Sequence, residues 1–126
     1  MKYTKKLDTF WSKLVKIRGG FKCEVCKKQD NQLNSHHIVG RTNRNLRWDL
    51  RNGVSLCVGC HKFRTQSAHE DPEWFREWLM KNRGEDFDYV NQKKNTIKKW
   101  TNLEKKELLE DFKKQVKGYE NNSDIP

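Results

Sequence analysis

Apolar residues recur at helical spacing near both ends of the chain. Close to the start, one such stripe predicts a helix over residues 4–17, which ends at a Gly-Gly pair. Its members are Leu7, Phe10, Trp11 and Leu14. A second helix is predicted to begin at Asp71 and Pro72, an N-cap acid followed by a proline at the first helical position, and to end at Gly84. Its apolar stripe consists of Trp74, Phe75, Trp78 and Leu79.

The remainder of the chain after Gly84 also has helical character. Residues 86–100 are predicted to be helical, and Thr101 and Glu104 fit a capping box at the start of a final amphipathic helix. The apolar face of that helix is formed by Leu108, Leu109, Phe112, Val116 and Tyr119. The closing residues 121–126, NNSDIP, are expected to be disordered, and residues 1–120 are expected to form a single domain.

The middle of the chain has a different pattern. Residues 33–39 and 53–56 are predicted to be short strands, and a short helix is predicted to begin near Cys60. Between the strands lies a basic loop, residues 40–52, in which Trp48 and Leu50 are candidate anchors. The prediction is an α+β fold, with a small β-β-α core over about residues 21–66 and flanking helices at both ends.

The composition of the chain indicates the kind of partner that it binds. The chain has 126 residues and a net charge of +10, and only 33% of its residues are hydrophobic. A basic domain of this size favours a polyanionic partner such as nucleic acid, although a well-solvated surface is the alternative reading of the charge. The first residues lack the apolar run of a signal peptide, and no stretch approaches a membrane span. We therefore expect an intracellular, cytoplasmic protein with no membrane partner.

The four cysteines form two C-x-x-C pairs. Cys23 and Cys26 make the first, and Cys57 and Cys60 make the second, with 30 residues between them. Two such knuckles can close a tetrahedral thiolate shell around Zn²⁺, and the metal would supply folding free energy to a small core. Paired disulfides are the alternative, but they need an oxidising compartment. The sequence predicts a structural zinc site.

Four polar residues lie between these pairs or directly after them. His36 and His37 lie on the first predicted strand, Asn52 precedes Cys57 by five positions, and His61 directly follows Cys60. In this order and setting the chain resembles the HNH endonucleases of the zinc-ribbon, ββα-metal type. The resemblance covers residues 21–66, and the stretch RWDLRNGVSLC is most similar to small phage-type enzymes, including NinG-like recombination nucleases. It implies a metal-dependent DNA endonuclease that leaves a 5′ phosphate, acting in the host cytoplasm if phage-encoded.

Roles for these residues follow from the resemblance and from the chemistry of phosphodiester hydrolysis. His36 and His61 are the predicted ligands of one catalytic divalent ion, which stabilises charge on the phosphate. His37 points to the opposite face of the strand and is the predicted general base. In the family, the counterpart of Asn52 braces the loop and helps to orient the base. Two imidazole ligands favour Mn²⁺, Ni²⁺ or Zn²⁺ over Mg²⁺, so Mn²⁺ or Ni²⁺ should support cleavage at least as well as Mg²⁺.

Several alternatives stay open at this point. His69 is either a third metal ligand, as a downstream histidine is in some relatives, or a residue that caps or packs near the following helix, which is the preferred reading. Arg41 and Arg47 are candidate phosphate contacts, because the guanidinium group matches phosphate geometry. The competing function is a non-catalytic zinc-ribbon module that binds DNA or protein. Duplex and branched DNA are both possible substrates, and the protein could be a monomer or a homodimer.

Overall fold

The computed structural model describes residues 2–29 and 32–122. Its two strands and four α-helices follow in this order along the chain: α1 (Thr4–Arg18), β1 (Leu33–His37), β2 (Gly53–Cys57), α2 (Pro72–Asn82), α3 (Gly84–Lys93) and α4 (Asn102–Asn122). A 3₁₀ turn (Leu50–Asn52) precedes β2, and a single π-helical turn (Gly59–Phe63) follows it closely. The expected α+β class is confirmed, with a small sheet and helices on both sides of it in the chain.

The two strands form an antiparallel hairpin that lies between two helices. Its register pairs Leu33 with Cys57 at one end and His37 with Gly53 at the other. Because side chains alternate along a strand, neighbouring residues of β1 face opposite layers. The ring of His37 stacks on Trp11 of α1, whereas the ring of His36 meets the edge of Phe75 of α2.

The core on the α1 side joins the two ends of the chain. The predicted stripes of α1 and α4 pack on each other, and Trp48 from the basic loop completes the cluster. Its buried members are Leu7, Trp11, Leu14, Val15, Trp48, Leu109, Phe112 and Val116. The indole of Trp48 donates a hydrogen bond to Asp8 (2.8 Å), so this tryptophan anchors the loop as expected.

The core on the other side contains α2 and the cysteines. Strand β2 is buried along its whole length, and Val54 and Leu56 lie in one cluster with Phe75 and Leu79. Three of the four cysteines belong to the same cluster, namely Cys23, Cys57 and Cys60. The predicted metal site is therefore part of a hydrophobic core rather than a surface appendage.

Three predicted boundaries differ from the structure. The first strand stops at His37, because both backbone polar groups of Val39 bond to the side chain of Asn52. Gly84 does not end a helix: α2 stops at Asn82, and Gly84 is the first residue of α3. The helix predicted over residues 86–100 ends at Lys93, beyond which the chain is irregular.

Contacts with the basic loop explain why α3 ends early. The amide of Asn45 donates to the carbonyl of Lys93 (2.8 Å), and that of Asn43 donates to the carbonyl of Lys94 (2.7 Å). The indole of Trp100 in turn donates to the carbonyl of Arg44 (2.8 Å). Side chains of the basic loop thus bond to carbonyls at the end of α3, and Trp100 bonds the following irregular segment to the same loop.

Helix α4 begins as the sequence indicates. The backbone N–H of Glu104 donates to the hydroxyl of Thr101, and the carboxylate of Glu104 accepts from the N–H of Thr101, each at 3.1 Å, so the capping box is confirmed. The helix continues to Asn122 and includes the first two residues of the predicted disordered tail, whose other residues lie outside the described part of the chain. Across the described residues, none of the helices combines the length and apolar character needed to span a membrane.

Gly53 allows α1 to approach the hairpin closely. A Cβ at this position would lie 2.3 Å from Cγ2 of Val15 and 2.9 Å from the ring of Trp11. Neither neighbour can move freely, because both are buried in the core. Glycine at position 53 therefore sets the distance between α1 and the end of the hairpin where Gly53 pairs with His37.

We expect Gly53→Ala to lower the free energy of unfolding by about 1–3 kcal/mol, because the added methyl group overpacks the interface with α1. The matched control is Gly40→Ala, where a Cβ meets nothing within 4 Å and the expected change is within about 0.5 kcal/mol. Denaturant unfolding at one fixed zinc concentration measures both. Equal stabilities of the two variants would contradict this account of Gly53.

Candidate active site and zinc site

The four cysteine sulfurs converge at one point. All lie within 4.8 Å of one another, and none forms a disulfide. Sulfur atoms at the corners of a tetrahedron around Zn²⁺, each about 2.3 Å from the metal, are separated by about 3.8 Å. The sulfurs of Cys26 and Cys57 are 3.8 Å apart. The cluster therefore fits the predicted zinc site.

The first knuckle is attached to β2 through Glu24. Its backbone N–H donates to the carbonyl of Ser55 (2.9 Å), and its carboxylate accepts from the N–H of Ser55 (2.7 Å). The other carboxylate oxygen accepts from Arg83 (2.9 Å), which also bonds to Asp86 of α3. These contacts bring the first cysteine pair to the second, which directly continues β2.

The environment of the thiols favours a bound cation. Burial raises the pKa of Cys23 and of Cys60, so that a lone thiolate at either position is unfavourable. The guanidinium of Arg64 donates a hydrogen bond to the sulfur of Cys60 (3.4 Å), and the N–H of Cys60 donates to the sulfur of Cys57 (3.4 Å). Such donors support sulfur atoms that carry negative charge, as those bound to a metal do.

Three histidines form a second cluster, next to the zinc site in the chain. His36 comes from β1, His61 from the π-helical turn and His69 from the loop before α2. Nε2 of His61 lies 3.1 Å from Nδ1 of His36 and 3.1 Å from Nε2 of His69. Nitrogen ligands about 2.0–2.1 Å from one metal ion lie roughly 2.9–3.4 Å apart at octahedral or tetrahedral angles. The spacing therefore fits three ligands of a single ion.

Hydrogen bonds among the three rings cannot account for both of these short nitrogen–nitrogen distances. One imidazole nitrogen has either a single proton or a single lone pair, so Nε2 of His61 can serve only one of its two neighbours. Its other ring nitrogen, Nδ1, is buried without a hydrogen-bond partner. A cation between the rings would accept a lone pair from each of them.

His36 and His61 are also neutral, as metal ligation requires. Burial, together with the proximity of His61 and His69, lowers the pKa of His36 to about 3. Burial and the proximity of His69 and Lys62 lower the pKa of His61 to about 4. At neutral pH both rings therefore keep their lone pairs available.

His37 lies on the other face of β1 and is held in a single orientation. Its ring stacks on the indole of Trp11, with 3.8 Å between centroids and 8° between planes. Its Nε2 is 3.0 Å from the carbonyl oxygen of Arg47. Because a carbonyl only accepts, Nε2 carries the proton, which leaves the lone pair on Nδ1. Burial lowers the pKa of His37, so the ring is a neutral base at pH 7.

Asn52 braces the loop against which His37 is oriented. Its side chain is fully buried; the amide donates to the carbonyls of Val39 (2.8 Å) and Leu46 (3.0 Å), and the amide oxygen accepts from the N–H of Val39 (2.8 Å). The carbonyl of the next residue, Arg47, is the acceptor for His37. Asn52 is therefore one peptide unit from the group that fixes the tautomer of the imidazole.

Comparison with known families agrees with this geometry. Residues 23–67 match the model of the family described as HNH endonuclease. The similarity to this family covers 45 of the 126 residues. The match spans both C-x-x-C pairs together with His36, His37, Asn52 and His61. A search of curated proteins and a search of solved structures each returned no significant match. The phage-type, NinG-like subgroup is not confirmed and stays a prediction.

His69 lies two residues beyond the matched HNH segment, and the preferred sequence interpretation placed it in capping or packing. The structure brings it into the histidine cluster instead. The N–H of Ala68 donates to the carbonyl of Cys60, and the N–H of His69 donates to that of His61 (2.8 and 3.0 Å). The loop thus runs back along the π-helical turn, and no spacing rule in the sequence indicates this return.

The two predicted DNA contacts differ in their surroundings. Arg41 is exposed on the basic loop, as is Arg44. Arg47, in contrast, forms a two-pronged ion pair with Asp8 of α1 (2.9 and 2.7 Å). Burial works to raise the pKa of Asp8, but hydrogen bonds from Arg47 and Trp48 outweigh it and the pKa is lowered. The side chain of Arg47 therefore fixes the loop to α1, and its backbone orients His37.

We expect Cys57→Ser to lose zinc and to lower the midpoint of thermal unfolding by at least about 10 °C, because the metal closes the core around β2. Zinc content per chain and melting curves measure the effect. Wild-type protein stripped by a chelator and then reloaded with zinc is the control, and its melting midpoint should return. Full zinc occupancy in the variant would contradict the four-cysteine assignment.

Proposed function

We propose that this protein is a metal-dependent DNA endonuclease of the HNH type that hydrolyses phosphodiester bonds. One observation carries the proposal: His37, an oriented neutral imidazole, and His36, a member of the three-histidine cluster, are adjacent residues on opposite faces of one strand. The net charge of +10 and the exposed Arg41 and Arg44 support a polyanionic substrate. The thiols, which are free of disulfides, support the expected cytoplasmic setting.

His36, His61 and His69 would hold the catalytic ion. When bound, the ion would act as a Lewis acid and neutralise charge on the phosphate and on the leaving oxygen. Nδ1 of His37 takes a proton from water, and the water oxygen attacks phosphorus in line with the O3′ leaving group. The P–O3′ bond breaks, O3′ leaves with the electron pair and is protonated by solvent, and a 5′ phosphate remains.

The remaining residues of the site act through His37. Trp11 limits rotation of the imidazole by stacking, and the carbonyl of Arg47 keeps its proton on Nε2. Asn52 is a positioning residue, since it holds the neighbouring peptide of the loop. These partners come from α1, the basic loop and the turn before β2, which supports the proposal that residues 1–120 work as one nuclease domain.

We expect His37→Gln to lower the rate of plasmid nicking by about 10²–10⁴-fold, because glutamine can still donate to the carbonyl of Arg47 but offers no basic lone pair. Nicking is measured with and without EDTA, and zinc content is checked after the EDTA step. Affinity for DNA and the melting midpoint should match those of the wild type. Unimpaired nicking by this variant would contradict the role of His37 as the general base. A wild type that never cleaves would favour the non-catalytic zinc-ribbon module.

We expect His69→Ala to weaken binding of Mn²⁺ at least about tenfold, because one of three imidazole ligands is lost. His37→Gln is the matched control and should bind Mn²⁺ normally, since His37 faces α1. Calorimetric titration of zinc-loaded protein gives both affinities. An all-imidazole set also favours Mn²⁺ or Ni²⁺ in cleavage over Mg²⁺. Strict dependence on Mg²⁺, or an unchanged affinity of His69→Ala, would contradict the ligand assignment.

A further inference from the structure

An open pocket of about 360 Å³ lies directly beside the histidine cluster. His36, a proposed metal ligand, forms part of the wall of this pocket. A volume of this size is typical of sites that bind small molecules or parts of larger ligands. Neither the attack of water by way of His37 nor the binding of the metal uses this space.

The lining of the pocket combines apolar and cationic side chains. Ile38, Phe75 and Phe87 supply aliphatic and aromatic surface. Arg76 and Lys94 add two positive charges to the lining, and the guanidinium of Arg76 lies 5.8 Å from the ring centre of Phe87. A wholly apolar occupant would leave these charges unmatched. A flat ring attached to a phosphate matches both parts of the lining.

We propose that this pocket holds one unpaired nucleobase of the nucleotide next to the phosphate that is cleaved. The inference rests on the proposed nuclease function, because that function places the phosphate at His36. Asn91, which also lines the pocket, offers an amide donor and acceptor to the edge of the base. The phosphates on either side of the base lie within the field of Arg76 and Lys94.

The proposal names a substrate class. In duplex DNA every base is stacked and paired, so a base can enter the pocket only after unstacking, which costs free energy. A single-stranded segment, a flap or a branch point has already lost that stacking. We therefore expect DNA with unpaired nucleotides to be preferred over intact duplex.

A binding experiment with zinc-loaded protein and no added catalytic metal tests the pocket apart from cleavage. A labelled single-stranded oligothymidine is displaced, in an anisotropy assay, by unlabelled oligothymidine or by an abasic oligomer of the same length and phosphate number. The abasic oligomer should bind about 5- to 150-fold more weakly, the range that loss of one base stacked on a protein surface produces. Equal affinities would overturn the proposal, and this comparison needs no variant protein.

Two variants locate the effect. Asn91→Trp fills the pocket and should reduce the preference for bases over abasic DNA to about 1-fold. Gln92→Trp places the same side chain on the adjacent, exposed position of α3, outside the pocket lining, and should keep the wild-type preference. Melting curves confirm that both fold. A preference that survives in Asn91→Trp as in Gln92→Trp would overturn the assignment to this pocket.

The outcomes separate this inference from the proposed function. Base-dependent binding that Asn91→Trp abolishes, in a protein that never cleaves, would support the pocket and count against the nuclease. Metal-dependent cleavage with equal activity of Asn91→Trp and Gln92→Trp on flapped DNA would support the nuclease and overturn the pocket.

Discussion

The pleat of strand β1 is the constraint on which the whole site depends. Adjacent residues of a strand face opposite layers, so His36 and His37 share a backbone but not an environment. The register of the hairpin, which pairs His37 with Gly53 and His36 with Val54, fixes which imidazole faces α1 and which faces α2. A slip of one residue would exchange the two environments and leave neither imidazole with its partners.

The orientation of His37 depends on contacts with residues that are distant in the chain. Trp11 comes from the first helix, the carbonyl of Arg47 comes from the basic loop, and Asn52 holds that loop from the end of the 3₁₀ turn. The ion pair of Arg47 with Asp8 ties the same loop back to α1. A neutral imidazole with its proton held on one nitrogen is the common result of these contacts.

The cysteine cluster and the histidine cluster each take one residue from the same π-helical turn. Cys60 and His61 are neighbours in the π-helical turn, so a metal held by the thiolates also fixes the backbone that presents an imidazole to the second cluster. Soft thiolates suit zinc in a closed structural shell, whereas the proposed site of three imidazoles would leave coordination positions for substrate and water. Two clusters of different ligand type thus meet at neighbouring residues of the chain.

The sequence by itself determined the features that depend on local spacing. These are the two cysteine knuckles, the alternation at His36 and His37, the apolar stripes of α1, α2 and α4, and the capping box at Thr101. Tertiary structure alone decided where His69 lies, because backbone hydrogen bonds to Cys60 and His61 return its loop to the cluster. Tertiary structure also decided that Arg47 pairs with Asp8, that α3 ends at Lys93 and that a pocket lies beside His36. Each of these features joins groups that are distant in the chain, and periodicity and spacing carry no information about such contacts.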